Sequence, residues 1–325
     1  MKEEILQILR QTPDFVSGQI ICSRLGISRT AVWKAINTLR EEGYAIDSVR
    51  NRGYRLSAAT GHLSAEEILH YLSGHPWAGL LQVKHSVSST SRLAEALAEQ
   101  GAPEGTVVIA DRQSDCRGRM GQLLYSPPAQ GVYLSVILRP HTTANHLGHL
   151  ICAAAEAICQ AIEVTTGRRP GIKWPNDLIC GRRKVADIQT QLAAAEDDGA
   201  VHYALVGASV NCNQTEFPQE LAGIATSLSM ATGAPVDRNR LAGEMVLALH
   251  NMAGSLLDRG VDWVEAYRQD CITLGKSIMI QQGQALRQGT ALDVDSCGAL
   301  VADFGYGVEK LQAGKMSIRG LYGYL

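Results

Sequence analysis

Lys173, Trp174, Pro175, Asn176 and Asp177 place a cation, a large amphipathic ring, a rigid turn former, an amide and a carboxylate in five consecutive positions. That run is poor core material and good ligand chemistry. Pro175 fixes its own φ and biases Trp174 toward extended backbone, so the apolar residues before it should end as a strand running into a turn. Turns at strand ends aim side chains at ligands. The plainer reading is an Asx-type turn after an edge strand, with Trp174 packed on the surface. Arg182, Arg183 and Lys184 follow as a basic run, which is more often a solvated cluster than a site. Upstream, Gln113 to Gly121 reads QSDCRGRMG. Arg117 and Arg119 offer planar forks for phosphate or carboxylate there, and Gly118 and Gly121 let the backbone approach an anion. In isolation such a loop is more often a solvated surface loop.

The elements that must hold these groups are legible in outline. At 325 residues the chain suits two or three domains, and 46% hydrophobic with 19% charged residues is globular composition. The most apolar helix candidate, near Leu147 to Ile162, is interrupted by His149, Glu156 and Gln160, so no membrane span is expected. The acidic start MKEEILQILR lacks the basic and apolar blocks of a signal peptide. Eight cysteines show neither CxxC pairs nor a metal-ligand spacing, which reads as reduced thiols in a cytoplasmic protein with no metal site. Strands are expected at Leu81 to His85, Thr106 to Asp111, Gly131 to Leu138 and Tyr203 to Val210. Helices are expected at Arg92 to Glu99, His146 to Thr165 and Arg238 to Leu257. Short strands with glycine turns after Asp270 suggest a small β-barrel.

The first 60 residues differ from the rest. They carry nine Lys+Arg against six Asp+Glu, whereas the whole chain has a net charge of -2. A basic head on an acidic body points to a polyanion partner for the head alone. Ile5, Leu6, Ile8 and Leu9 recur at helical spacing, a second helix fits Ser17 to Leu25, and Ser28 is a natural N-cap for Arg29 to Glu42. Helix, glycine turn and helix make a helix-turn-helix pattern, whose second helix enters the DNA major groove. Ser28, Arg29, Thr30, Trp33, Lys34 and Asn37 are the candidate contacts. Two short strands around Arg50-Asn51-Arg52-Gly53 make a wing with basic residues Arg50 and Arg52 at its tip. A small helical protein-binding module is the alternative.

KWPND followed by Arg182-Arg183-Lys184-Val185-Ala186 resembles the central signature of biotin protein ligases, and the match runs through nearly the whole chain. SRTAVWKAINTLREEGYAI followed by RGYRL resembles the DNA-binding head of the family members that are both ligase and repressor. The resemblance implies three parts: a winged helix-turn-helix domain over 1–60, a multidomain α+β arrangement's central α/β catalytic domain over 66–270, and an SH3-like β-barrel over 271–325. It implies ATP, biotin and Mg2+ as substrates and activator, biotinyl-5'-AMP as intermediate, and transfer to a lysine of a biotin carboxyl carrier protein. It also implies operator DNA and a ligand-promoted homodimer as partners, with no membrane. Lys184 is then the central cation at the adenylate-forming centre, with Arg119 beside it. Ser89, Thr90, Ser91, Gln113, Arg117, Gly118, Trp174, Asn176, Asp177 and Asn211 complete the biotin and adenylate site. Mechanistically, two anions need only be positioned together and the charge developing on the attacked phosphate offset.

Departures from the family pattern fall on the site. Cys116 stands where the family has glycine, Gln122 where it has arginine and Leu124 where it has tryptophan. Asp187 and Ser209 replace glycines, Gln191 and Lys315 replace glutamates, and Ser91 replaces an asparagine. Two functions are therefore compatible with these residues. One is a ligase that doubles as a biotin-responsive repressor. The other is a catalytically impaired paralogue that only senses a small carboxylate and binds DNA.

Overall fold

Helix α1, Lys2–Gln11, buries Ile5, Leu6, Ile8 and Leu9 on one side. Its apolar stripe packs with α2, Gly18–Leu25, and α3, Arg29–Glu41, around Ile21, Val32, Ile36 and Leu39. Ser17 caps α2 by accepting the Ile20 N–H, and Gly26 ends it in the left-handed region at φ +65°. Strands β1, Ile46–Val49, and β2, Gly53–Leu56, form an antiparallel hairpin. In this computed structural model the described residues are 2–12, 14–41, 46–49, 52–56, 62–115, 125–195, 197, 199–256, 263–282, 285–313 and 317–320. The chain divides into two compact units, Met1–His62 and Leu63–Leu325.

The larger unit begins with α4, Ala65–Tyr71, which Ser64 caps through the Glu67 N–H. In chain order follow β3 (Leu81–Lys84), α5 (Thr90–Glu99), β4 (Val107–Ala110), β5 (Gly131–Leu138) and α6 (Leu150–Thr166). Next come β6 (Gly171–Lys173), β7 (Asp177–Cys180), β8 (Arg183–Ala194) and β9 (Val201–Asn211). Three helices, α7 (Leu228–Thr232), α8 (Arg238–Ser255) and α9 (Trp263–Asp270), precede five short strands. These are β10 (Ser277–Gln282), β11 (Ala285–Val294), β12 (Leu300–Asp303), β13 (Val308–Leu311) and β14 (Ser317–Gly320).

One seven-stranded sheet runs β3-β4-β5-β9-β8-β7-β6, with β3 and β4 parallel and every other pair antiparallel. Side chains alternate between its faces. Val132, Leu134, Val136, Ala204, Val206 and Ala208 share a core with α6 and α8. On the other face, among the described residues, α5 covers one end, where Ala94 and Ala98 meet Val108, Ile137 and Leu205. The rest of that face carries the site. The second sheet, β13-β12-β11-β10-β14, is wholly antiparallel, and its Ile278, Ile280, Ala291 and Leu300 belong to the same core as the large sheet.

Two local expectations need correction. The helix expected from His146 begins at Leu150, after a short 3-10 turn over Ala144–Leu147. Trp174 is 3% exposed rather than packed on the surface, and its two N–H groups are received by Thr273 and Gly298. Among the described residues no helix is long and apolar enough to cross a membrane. The seven described cysteines are unbridged, and six of them are buried.

Candidate functional site

Register puts the chemistry-bearing residues on one face. Across the sheet, Tyr133 pairs with Ser209, Ser209 with Asp187, Asp187 with Asp177, and Asp177 with Lys173. One layer along, Ser135 pairs with Gly207 and Gly207 with Gln189. Paired residues share a face, so strands distant in sequence align two polar rows. The face opposite is apolar core.

At one end of the rows sits a relay of hydroxyls. The Thr90 N–H and hydroxyl both donate to Gln113 Oε1, at 2.8 and 3.1 Å. Ser135 Oγ donates to Thr90 Oγ1 at 2.9 Å. That commits the single Ser135 proton, so Ser91 is the donor in its 3.1 Å contact with Ser135. Gln113 is fixed in turn by the Ser126 hydroxyl accepting its N–H at 2.8 Å, while Ser114 and Asp115 donate to the carbonyls of Val87 and Ser88. Ser89 is spent as the N-cap of α5, accepting the Arg92 N–H. Gly207 keeps the floor low here: a Cβ would stand 3.0 Å from Ser91 Oγ and 3.4 Å from Ser135 Oγ.

At the other end sits Lys184. Its Nζ lies 2.6 Å from Asp177 Oδ1 and 2.6 Å from Asp187 Oδ1. Asp187 Oδ2 accepts from Gln189 Nε2 at 2.9 Å. Burial pushes the Asp187 carboxyl above the usual carboxylate range; the Lys184 charge opposes that shift and Asp177 adds to it. Burial also pulls Lys173 below the usual lysine range, an effect that Asp177 opposes and Lys184 reinforces. The Lys184 backbone is locked on both sides, donating to Ile224 O and accepting from Thr226 N–H at 2.7 and 2.9 Å.

The tryptophan turn between these strands is held from behind. Trp174 N–H donates to Thr273 Oγ1 at 2.9 Å and its indole Nε1–H to Gly298 O at 3.0 Å. Tyr267 Oη donates to Pro175 O at 3.0 Å, and Ile272 N–H to Ile172 O at 2.9 Å. Asn176 is buried and donates to Ile188 O at 2.6 Å, tying the turn to β8. Asn211 donates to Thr226 O and accepts from Gln214.

Thr90, Ser91, Gln113, Asp177 and Lys184 are thus brought onto one polar face, while Trp174, Asn176, Asn211 and Ser89 are engaged in holding it. Arg117, Gly118 and Arg119, with Cys116, Gln122 and Leu124, lie outside the described residues, as do Arg50 and Lys315. Ser135, Gly207, Gln189, Tyr267, Thr273 and Gly298 join the site without having been singled out in the sequence. Ser135 alone had a local signal, as a hydroxyl inside the buried strand GVYLSVIL. Chemically, the relay suits a neutral polar group that both donates and accepts, and Lys184 suits a carboxylate or phosphate.

In the head, Ser28, Arg29, Thr30, Trp33 and Lys34 are exposed along one end of α3, with Asn37 half-buried. Ser28 Oγ accepts the Ala31 N–H, and Arg29 donates twice to Gln19 Oε1 at 3.2 and 2.9 Å. Arg52 pairs with Asp14 at 3.1 Å and stacks over Phe15.

Comparison with known proteins agrees with both halves. Residues 2–55 match an HTH domain, and residues 83–211 match the biotin/lipoate A/B protein ligase family. The bifunctional ligase/repressor BirA of Bacillus subtilis is 34% identical over 322 residues, 98% of either chain. The protein of the same name from Escherichia coli is 25% identical over 94% of either chain. Among solved structures, the biotin protein ligase of Aquifex aeolicus in complex with biotin and ATP superimposes with a TM-score of 0.63 at 25% identity, covering 74% of this chain and 98% of that one.

Proposed function

The chain belongs to the family of the bifunctional ligase/repressor BirA, and from that premise we propose that it activates biotin with ATP to biotinyl-5'-AMP, transfers biotin to a carrier lysine, and represses transcription in response to biotin. The observation that carries the chemistry is the polar face ending in Lys184. Its hydroxyl and amide relay matches the neutral donor and acceptor head of biotin, and its ammonium matches the carboxylate that must reach the ATP α-phosphate. Lys184 offsets the charge that develops there, a contribution of about 10²–10³ in rate for one preorganised donor. Mg2+ enters with ATP as part of that substrate, and no residue of the chain is assigned to hold it.

Arg117, Gly118 and Arg119 are proposed to fold over the adenylate. The carrier is a biotin carboxyl carrier protein, and the setting cytoplasmic. Operator DNA is the partner of the head, through Ser28, Arg29, Thr30, Trp33, Lys34, Asn37, Arg50 and Arg52. A ligand-promoted homodimer would place two heads on two half-sites. The C-terminal antiparallel sheet is proposed to be SH3-like.

Biotin-dependent ATP–pyrophosphate exchange by the purified protein tests the chemistry. Exchange is expected, and Lys184→Ala should lower it by about 10²–10³. The second reading, a regulator that binds the ligand without activating it, is favoured by the two carboxylates that already hold Lys184. Biotin binding without exchange would select it.

A further inference from the structure

Lys184 is bracketed by two carboxylates at 2.6 Å each, and the two are not equivalent. Asp177 belongs to the turn, and its register partner Lys173 stands across from it on β6. Asp187 projects from the middle of β8, its side chain only 10% exposed, and is steadied by Gln189 on its other oxygen. Asp177 is shared between Lys173 and Lys184, so with Asp177 alone the cluster would keep one positive charge for a ligand. Asp187 adds an anion to a face that must accept an anionic ligand, and takes up a second of the three ammonium donors.

Resting on the ligase reading above, we propose that Asp187 is an internal counter-anion and a specificity-determining positioning residue: it occupies the Lys184 ammonium in the free protein and raises the concentration at which a ligand carboxylate displaces it. Ligand entry then exchanges one carboxylate for another at Lys184. Asp187 is left facing Gln189 and the incoming molecule. No covalent step is involved. Removing the side chain does not strand a buried charge, since Asp177 remains at 2.6 Å from the same nitrogen. The consequence of losing Asp187 is therefore tighter ligand binding rather than collapse. An internal ligand of this kind sets the biotin concentration at which the protein responds.

Asp187→Asn keeps shape and the Gln189 contact while removing the charge, and Asp187→Gly removes the group altogether. Steady-state exchange should show the biotin KM of both variants falling by about tenfold, the scale of one unit of charge-pair perturbation, with KM carrying the larger share of the change in kcat/KM. An unchanged or raised KM in variants that still melt cooperatively overturns the proposal. A second readout does not depend on biotin: acylation of the Lys184 amine by a small anhydride, traced by peptide mass spectrometry on the full chain. Freed of one carboxylate, the amine should lose its proton more readily and label several-fold faster in Asp187→Asn at mildly alkaline pH. Should the unaltered protein show no exchange, the ligase reading fails by itself. The labelling rate then decides the role of Asp187, and equal rates in the two proteins refute it.

Discussion

Single side chains decide how the two ends of the polar face behave. Gly207→Ala introduces a methyl 3.0 Å from Ser91 Oγ, so the relay must shift; we expect a raised biotin KM with a stability loss of about 1 kcal/mol or less, read by exchange kinetics beside urea unfolding. Trp174→Phe keeps most of the buried ring and removes the indole N–H. It leaves Gly298 O without that donor, at a cost of about 1–3 kcal/mol in urea unfolding. Such residues were visible in the sequence to different degrees. The KWPND run and Lys184 stood out by type alone. That Trp174 faces inward did not, because the groups that receive it, Thr273 and Gly298, lie 99 and 124 residues away along the chain. The same holds for Asp187. Its departure from the family pattern was legible, but its 2.6 Å contact with Lys184 follows from a β-bulge between Leu178 and Ile179, which no local pattern announces.

Elements were easier to read than their meeting points. The cap at Ser28 fell where expected, and Ser17 and Ser64 cap α2 and α4 in the same way, because a side-chain oxygen can satisfy an orphan N–H only at a helix start. Strand β8 was missed: Arg183–Ala194 opens with a basic run and continues with polar alternation, so it lacks the apolar signature of β5. In the head, Gly53 sits at φ +105° with the Val16 carbonyl against its α-carbon, a place where any side chain meets both backbone strain and a clash. Gly53→Ala should disrupt the hairpin and abolish operator binding in a mobility-shift assay. Exchange activity should persist, since the head is a compact unit of its own. In the larger unit, Arg238 links α8 to β5 and to the residue that follows β4, pairing with Asp111 at 2.7 Å and donating to Gly131 O at 2.9 Å, with both charged side chains almost fully buried. Arg238→Met removes the buried cation facing the Asp111 carboxylate, which keeps the Leu63 N–H, and should cost about 3–5 kcal/mol in urea unfolding.

At the scale of the whole molecule, acidity should loosen the larger unit. Burial holds His75 and His149 below the ordinary histidine value of 6.5. His75 stacks edge-on with Trp77 and His250, and His149 lies flat against Trp263. A histidine with a lowered folded-state pKa binds fewer protons folded than unfolded. Stability is therefore full above 6.5 and declines as the pH falls through that value. Melting temperature followed downward from neutral pH should fall, and the double variant His75→Gln, His149→Gln should flatten the slope. A slope unchanged by the double substitution would assign the decline to other groups.

The bracing of the tryptophan turn by Tyr267, Thr273 and Gly298 also bears on biosynthesis. Until translation has carried the chain past Gly298 and that stretch has cleared the ribosome, the turn lacks three of its partners. The nascent protein then displays a finished head, and a central sheet whose chemistry has not yet been assembled. Repressor surface and enzyme surface mature at different moments, and a polypeptide terminated early would present the first without the second.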